Sequence, residues 1–420
     1  MSSENQVDLA VVGLGSVGLC TALAALEGGL SVAVIDPQSA DDLAAGEFDG
    51  RDVAISSASL RWLESLGVIQ GLSEQERSPI RGARVVDRLT DSSLDFAPAP
   101  GESSIGAFVP EHRLRELAFQ ALSGRRGVVE YLGAKPVAVE RDARGARLTL
   151  DDGRCVEARL VAVADGRRSP LRALLGIGVR QHDYALRMLC CRVAHSRDHD
   201  GWTVQRFEAG GCVATLPLCA GHSSLALMLP WSEAQRLKAL DDEAFSAWLG
   251  ELLGDELGEI RLESRRFDVP LASHYAEHFH VERAVLLGDA AVGMLPITAH
   301  GLNLGLINAR SLVAELLAAR QQGEEFSDEQ VLERVSRRAH ATAWPLYRAT
   351  NEICRLFRRE DPLSRQARRL LFRVAGPLES LVGLNCEQDD PRQVPWLGVL
   401  RALPGHLWAQ RKLWAQRKAC

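Results

Sequence analysis

An α/β fold with a parallel-sheet core, an inserted antiparallel sheet and closing helices is predicted for this 420-residue chain by three features. The first is a strand, glycine-rich turn, helix and strand at the N-terminus. The second is a run of short alternating strands between about 180 and 275. The third is a return, near residue 284, to an apolar strand, a glycine-containing turn and long helices.

Val7 to Val12 form a mostly apolar strand, interrupted only by Asp8. It leads into Gly13-Leu14-Gly15-Ser16-Val17-Gly18, a helix from Leu19 to Leu26, and a strand from Ser31 to Ile35 that ends in Asp36. These residue types suit a Rossmann-like dinucleotide site. Gly13 makes the tight turn, Gly15 lets a pyrophosphate reach the backbone, and Gly18 lets helix pack on strand, with Ser16 and Val17 completing the binding run. Asp36 suits ribose hydroxyls and disfavours a 2′-phosphate, which leaves NAD or FAD. Helices follow at Ala58 to Leu66 and Arg113 to Leu122. Alternation between Tyr131 and Leu160 predicts a small antiparallel layer, which leads into a strand from Leu160 to Ala164.

Leu189 to Ala194, Thr203 to Glu208, Cys212 to Pro217 and Ser224 to Leu229 read as an antiparallel sheet, followed by a helix at Ala244 to Leu253. Ala284 to Leu287 is again an apolar strand, and it runs into GDAAVGMLPITAHGLNLGL, Gly288 to Leu306. Gly288-Asp289 places a carboxylate where it can accept hydrogen bonds from sugar hydroxyls. Pro296 sets a turn, and Gly301, Leu302, Asn303 and Gly305 open a helix whose bare backbone can approach a flat ligand. The free N–H groups at that helix start suit the negative charge of a reduced flavin ring. Amphipathic helices are expected near 302–320, 328–358 and 364–383. The linear division is then 6–175, first part of a dinucleotide-binding domain; 176–280, a substrate sheet; 281–385, the return and C-terminal helices; and 386–420, a basic tail.

Between the first and last of these motifs, Ala164-Asp165-Gly166-Arg167-Arg168-Ser169-Pro170-Leu171-Arg172 has the form of the DG motif of single-component aromatic hydroxylases. Asp49 to Ser56 (DGRDVAIS) and Val109 to Leu114 (VPEHRL) match further segments of the same kind. With these, the chain from about 6 to about 385 resembles the group A flavin monooxygenases, in the branch that hydroxylates ubiquinone precursors. The usual members have His after GDAA and Gly-Gln-Gly after the proline turn, whereas Val292 and Ala299-His300-Gly301 stand here. Together with Trp344 to Asn351 (WPLYRATN), that variant looks most like the UbiM group.

The resemblance implies bound FAD, NAD(P)H as reductant with NADH and NADPH left open, and O2 as co-substrate. It implies hydroxylation of an aromatic, polyprenylated quinone precursor through a flavin C4a-hydroperoxide. Cofactor positions carried over are Gly13, Gly15, Ser16, Val17, Gly18, Asp36, Arg51, Arg113, Asp165, Gly288, Asp289, Gly301, Leu302 and Asn303. Pro296, His300 and Gly301 are the candidates at the reacting ring. The alternatives are a group A monooxygenase of another aromatic, such as a secondary metabolite or quinolone, a prenyl-chain reductase or halogenase of the same fold, and a catalytically inactive flavoprotein scaffold. No Trp-x-Trp-x-Ile-Pro run supports the halogenase.

Single residues carry two readings each. His300 is either a hydrogen-bond partner or proton acceptor for a phenol, or a loop side chain bonded to nearby backbone. Arg51 either meets the pyrophosphate or pairs with Asp49 or Asp52. Arg113 either lies under the flavin or its phosphates or is an exposed helical arginine. His274, Tyr275, His278 and His280 cluster in sequence without metal-site spacing, so they are read as structural and no metal is expected.

Hydrophobic residues make up 46% of the chain and charged residues 25%, enough for one large core or two joined ones. A net charge of −6 gives no reason to invoke nucleic acid. The nine cysteines are scattered with no CxxC pair, which suits reduced, buried thiols. No signal peptide and no membrane-spanning run is expected, so the expected location is cytoplasmic. The tail, with LWAQRK twice in tandem and Trp408 and Trp414 beside basic residues, suits an anionic membrane surface, and otherwise is a solvated or frayed end. It allows a peripheral position on the inner face of the cytoplasmic membrane, with other ubiquinone-biosynthesis proteins as family-implied partners.

Overall fold

Two large sheets carry the molecule in the computed structural model, which describes residues 6–208, 210–219 and 221–375. The first grows from Val7–Val12, flanked in parallel by Cys155–Val163 and Val32–Asp36. Val128–Leu132 and Ala284–Leu286 extend it in parallel on the two sides. The hairpin Pro136–Asp142 and Gly145–Leu150 pairs antiparallel with Cys155–Val163, as the alternation between 131 and 160 predicts. The central strands are aliphatic on both faces because both faces are covered. One side packs on the helices Ser16–Glu27 and Gly301–Gln321. The other packs on Leu171, Tyr275, Phe279 and Tyr347.

The second sheet runs from Phe267–Ala276 through Val179–His195, His222–Pro230, Gly211–Pro217 and Trp202–Glu208 to Gly82–Asp87 and Ser92–Phe96. All these pairs are antiparallel except Trp202–Glu208 with Gly82–Asp87. A linear division at 175 therefore cuts across this sheet, because Gly82–Phe96 leaves the first layer and completes the second. Its short strands carry exposed Arg84 and Asp95 and gave no clean alternation to read. Leu189, Val213, Leu225 and Leu227 point to one face, where Trp231–Ala239 and Asp242–Leu253 bury them. A small third sheet pairs Asp52–Ser56, Gly106–Pro110 and Ser78–Pro79.

The closing helices are Gly301–Gln321, Glu329–Phe357 and Pro362–Ala375. Contrary to the expectation of no spanning run, Gly301–Gln321 is long and apolar enough to cross a bilayer by length and composition. It is instead a core helix, 67% buried over its most apolar stretch, because Leu306, Leu312, Val313 and Leu316 pack into the core beside the first sheet. From the last helix, the guanidinium of buried Arg368 donates to Asp87 Oδ1 (3.2 Å) on the second sheet. The tail 386–420 lies outside the described residues.

Candidate active site

Backbone packing demands the first glycines. The Gly13 N–H donates to Ile35 O (2.8 Å) and the Ala164 N–H to Val12 O (2.7 Å), so the turn lies where the strands of the first sheet end. Gly13 has φ +95°, and a Cβ there would stand 2.5 Å from Ala164 O. A Cβ on Gly18 would overlap the Gly13 carbonyl oxygen. One on Gly15 would meet nothing within 4 Å, so the middle glycine borders open space while the outer two serve packing. Asp36 is buried, and its carboxylate accepts the N–H groups of Leu14 (2.6 Å) and Gln38 (2.8 Å). It braces the turn, and each oxygen keeps a lone pair for a further donor.

The two acidic motif ends lie beside this turn. Asp165 Oδ2 accepts the Leu171 N–H (3.1 Å), while buried Oδ1 has no partner among the described residues. Burial raises the Asp165 pKa, opposed by the hydrogen bonds from Ser169 and Leu171. Asp289 is open, 43% exposed, with Arg167 Nη2 3.5 Å away. Behind it, His274 Nε2 contacts Asp289 O (2.8 Å), and buried Arg172 donates to Ala290 O (2.9 Å) and Arg167 O (3.2 Å). Burial lowers the His274 pKa, so the neutral ring holds this turn.

The third motif closes over the first. A Cβ on Gly305 would come 2.7 Å from Val17 Cγ2 and 3.3 Å from Gly288 Cα, so both ends of the third motif meet the first at one point. Pro296 begins a short 3₁₀ turn that ends at Ala299, a non-glycine residue at φ +53°. Gly301, where a Cβ would meet nothing within 4 Å, starts the helix, with Leu302 partly exposed beside it. Asn303 is differently placed from a ligand-facing side chain. Its Oδ1 accepts Ser56 N–H (3.0 Å) and its Nδ2 donates to Ala54 O (2.8 Å), so it ties the helix start to the Asp52–Ser56 strand. His300 has a buried Nδ1 without a partner among the described residues. Burial lowers its pKa, a bond to the Thr298 backbone opposing.

Arg51 is 47% exposed and donates to Asp49 Oδ2 through Nε (2.7 Å) and to Glu111 Oε2 through Nη2 (2.9 Å). Glu111 also accepts from Ser16 Oγ (2.9 Å), joining the glycine turn to Arg51. Asp52, one of the expected Arg51 partners, instead takes a two-pronged bond from Arg192 (3.0 and 2.6 Å). Arg113 pairs with Glu76 Oε1 (2.6 Å) and with Glu116. Two nearby carboxylates thus claim its donors and hold it against its own helix. His280 contacts Glu329 (2.9 Å), His274 contacts Asp289 O, and Tyr275 OH contacts His340 Nδ1 (2.8 Å), so that sequence cluster faces three different neighbours.

Gly13, Gly15, Ser16, Asp36, Asp165, Gly288, Asp289 and Gly301 thus line one edge. Glu111 and Arg172 were missed as contributors. The signal for Glu111 was an acid in the first turn of a helix, and for Arg172 the last residue of the DG segment. An edge of open backbone at two glycines, an unpartnered buried carboxylate oxygen and an exposed carboxylate fits an elongated dinucleotide with hydroxyl groups.

The FAD-binding-domain family model matches residues 6–350. The ubiquinone hydroxylase UbiM of Neisseria meningitidis is 32% identical over 384 residues, 89% of this chain and 83% of that protein. The ubiquinone hydroxylase UbiL of Rhodospirillum rubrum is 36% identical over 326 residues, 77% of this chain and 75% of that protein. Among solved structures, p-nitrophenol 4-monooxygenase PnpA of Pseudomonas putida superposes with a TM-score of 0.71 at 18% identity, covering 90% of this chain and 95% of that one.

Proposed function

We propose that this chain, which belongs to the FAD-binding-domain family, hydroxylates the aromatic ring of a ubiquinone precursor. It is an FAD-dependent monooxygenase of the aromatic-hydroxylase type. FAD, when bound, supplies the activation of O2 after reduction by NAD(P)H. The observation that carries the reading is a pair of close approaches, Gly13 on Ala164 and Asp165 and Val17 on Gly288 and Gly305, which together bring all three motifs to one open edge.

The chain's own residues have these proposed tasks. Gly15, Ser16 and Val17 present the helix start to the pyrophosphate, and Arg51 turns from Asp49 and Glu111 to a phosphate oxygen. Asp36 takes ribose hydroxyls, Asp165 Oδ1 a further hydroxyl, and Asp289 the sugar-alcohol chain. The backbone of Gly301 and Leu302 faces the charged edge of the ring system, with Asn303 holding that backbone in place. Pro296 walls the reacting side. His300, kept neutral by burial, accepts the phenolic hydrogen bond. Excluding water there is a task of the apolar residues Leu295 and Ile297. The domain division follows the sheets, with one face of the second sheet against the substrate. A polyprenyl chain on that substrate, a position at the inner membrane surface and contacts with other pathway proteins belong to the same reading, supported by the basic tryptophan tail.

Quinone profiling by mass spectrometry tests it. The gene is expressed in bacterial strains that each lack one ubiquinone ring hydroxylase. Restored ubiquinone in a strain is expected and names the ring position. Accumulated precursor in every strain, with flavin-loaded protein present, overturns the pathway and keeps the flavin enzyme.

A further inference from the structure

The register of the second sheet sets Cys190, Ala226, Ala214, Gln205 and Val85 side by side across five strands. Side chains directly opposite share a face. Two neighbours identify that face as the one turned to the cofactor edge. Phe267, opposite Cys190, packs against Gly50, where a Cβ would stand 2.5 Å from its ring. Arg192, two residues along from Cys190, holds Asp52 on the third sheet.

The rows on either side of this one are filled. Met228, Cys212 and Phe207 pack with Leu295, Ile297 and Phe357. Leu216 and Ala83 pack with Phe108 and Ala54. Ala226, Ala214 and Gln205 belong to neither cluster and stay partly exposed in the middle of a wide sheet. Leu225, Leu227 and Val213 on the opposite face are buried under helices. The middle row is therefore the floor of a trough between two apolar walls, and Ala226 to Gln205 spans two strand spacings, about 10 Å. That is the width of a substituted ring.

The polar groups at the trough differ in what they have left to offer. Tyr184 OH donates to Asn351 Oδ1 (2.7 Å), and Thr203 Oγ1 donates to Thr215 O (2.8 Å). Arg192 is held by Asp52 and lies 3.9 Å over the Phe48 ring, so its charge is already compensated. Gln205 Nε2 donates only to Cys212 Sγ (3.3 Å), a weak acceptor, and among the described residues its Oε1 accepts nothing.

We propose that Gln205 contacts the substrate and selects an uncharged phenol or quinol ring, which lies on Ala226 and Ala214 with one ring oxygen at the Gln205 amide. A carboxamide both donates and accepts, so it serves a phenol O–H and a quinone carbonyl alike. Among the described residues a ring carboxylate finds no free cation on this floor and is disfavoured. The inference rests on the hydroxylase reading above.

Full-length, FAD-loaded protein is titrated with a phenol carrying one isoprene unit and with 4-hydroxybenzoate, reading the change in flavin absorption. Wild type is expected to bind the phenol at least about tenfold tighter than the benzoate. Gln205→Met, of similar length, is expected to weaken phenol binding about tenfold with FAD content unchanged. Ala226→Leu, which fills the floor, is expected to weaken it further. Unchanged phenol affinity in Gln205→Met, tighter benzoate binding, or no phenol response in wild type overturns the proposal. Gln205-dependent phenol binding without ubiquinone rescue in any strain overturns the pathway and leaves Gln205 in place. Rescue with wild-type phenol affinity in Gln205→Met does the reverse.

Discussion

The two large sheets expose different parts of the chain. The parallel sheet offers strand ends, where Gly13, Gly15, Asp165, Gly288 and Asp289 present backbone and short carboxylates. The antiparallel sheet offers the middle of one face, where Ala226, Ala214 and Gln205 present side chains. The first solution depends on φ angles and close approach, so few residue types satisfy it. The second depends on volume and on one or two polar groups, so many sequences satisfy it. A family can therefore keep its cofactor edge while its substrate changes.

That contrast can be broken most severely at Gly13. Gly13→Val places a branched side chain at φ +95° against the Ala164 carbonyl, and the cost should exceed the about 1–2 kcal/mol of an ordinary left-handed residue. Loss of FAD retention and a large fall in Tm are expected, and normal FAD content would mean that the turn is less constrained than its geometry. A comparable loss of stability should follow on the other sheet from Arg368→Met, which strands the carboxylate of Asp87. Both side chains are buried, 2% and 0% exposed, and removing one partner of such a pair costs about 3–5 kcal/mol. Denaturant unfolding measures it, and a change below about 1 kcal/mol would show that the last helix does not latch the sheet.

Asp289→Ala sharpens the comparison, because this carboxylate is open and bears little of the packing. FAD should dissociate much more readily while the unfolding free energy of the apoprotein stays within about 0.5 kcal/mol of wild type. Full FAD occupancy in this variant would remove the role assigned to it.

Acid should act on both regions together. Burial lowers the pKa of His112, His195, His274, His300 and His340. Each binds its proton more weakly in the folded chain than at the unfolded value near 6.5. Stability from these groups is therefore complete above about pH 6.5 and falls as pH drops below it. Tm should decline between pH 7 and pH 5, before the carboxylates protonate, and a flat Tm over that range would contradict the burial. The smallest effect is expected at Ala299→Gly. It relieves a left-handed alanine at φ +53° but adds freedom to the unfolded chain, so the net stabilisation should be at most about 1 kcal/mol.

The cofactor edge was legible because its chemistry is local. A strand followed by GLGSVG and, after the next strand, by Asp36 carries its own geometric demands, and the observed strands Val7–Val12 and Val32–Asp36 lie where those demands place them. The long closing helices were legible from apolar periodicity, although Pro345 sits inside Glu329–Phe357. Gly82–Phe96 was not, since a strand pair with charged, half-exposed residues gains its place only from pairing with Trp202–Glu208. Arg51, Arg113 and Asn303 show a related gap. Their residue types suit phosphate or ring contacts, yet in the fold Glu111, Glu76 and the Asp52–Ser56 strand claim all or part of their hydrogen bonds.

The sequence by itself determined the dinucleotide turn, the order of the three motifs and the two kinds of sheet. Each follows from short-range rules: glycine at tight approaches, alternation in strands, and periodicity in helices. Only the tertiary structure decided that Val17, Gly288 and Gly305 touch, that Arg368 reaches Asp87, and that Gln205 stands on the trough floor. These depend on partners as much as hundreds of positions away, and sheet register and packing, not local propensity, bring them together.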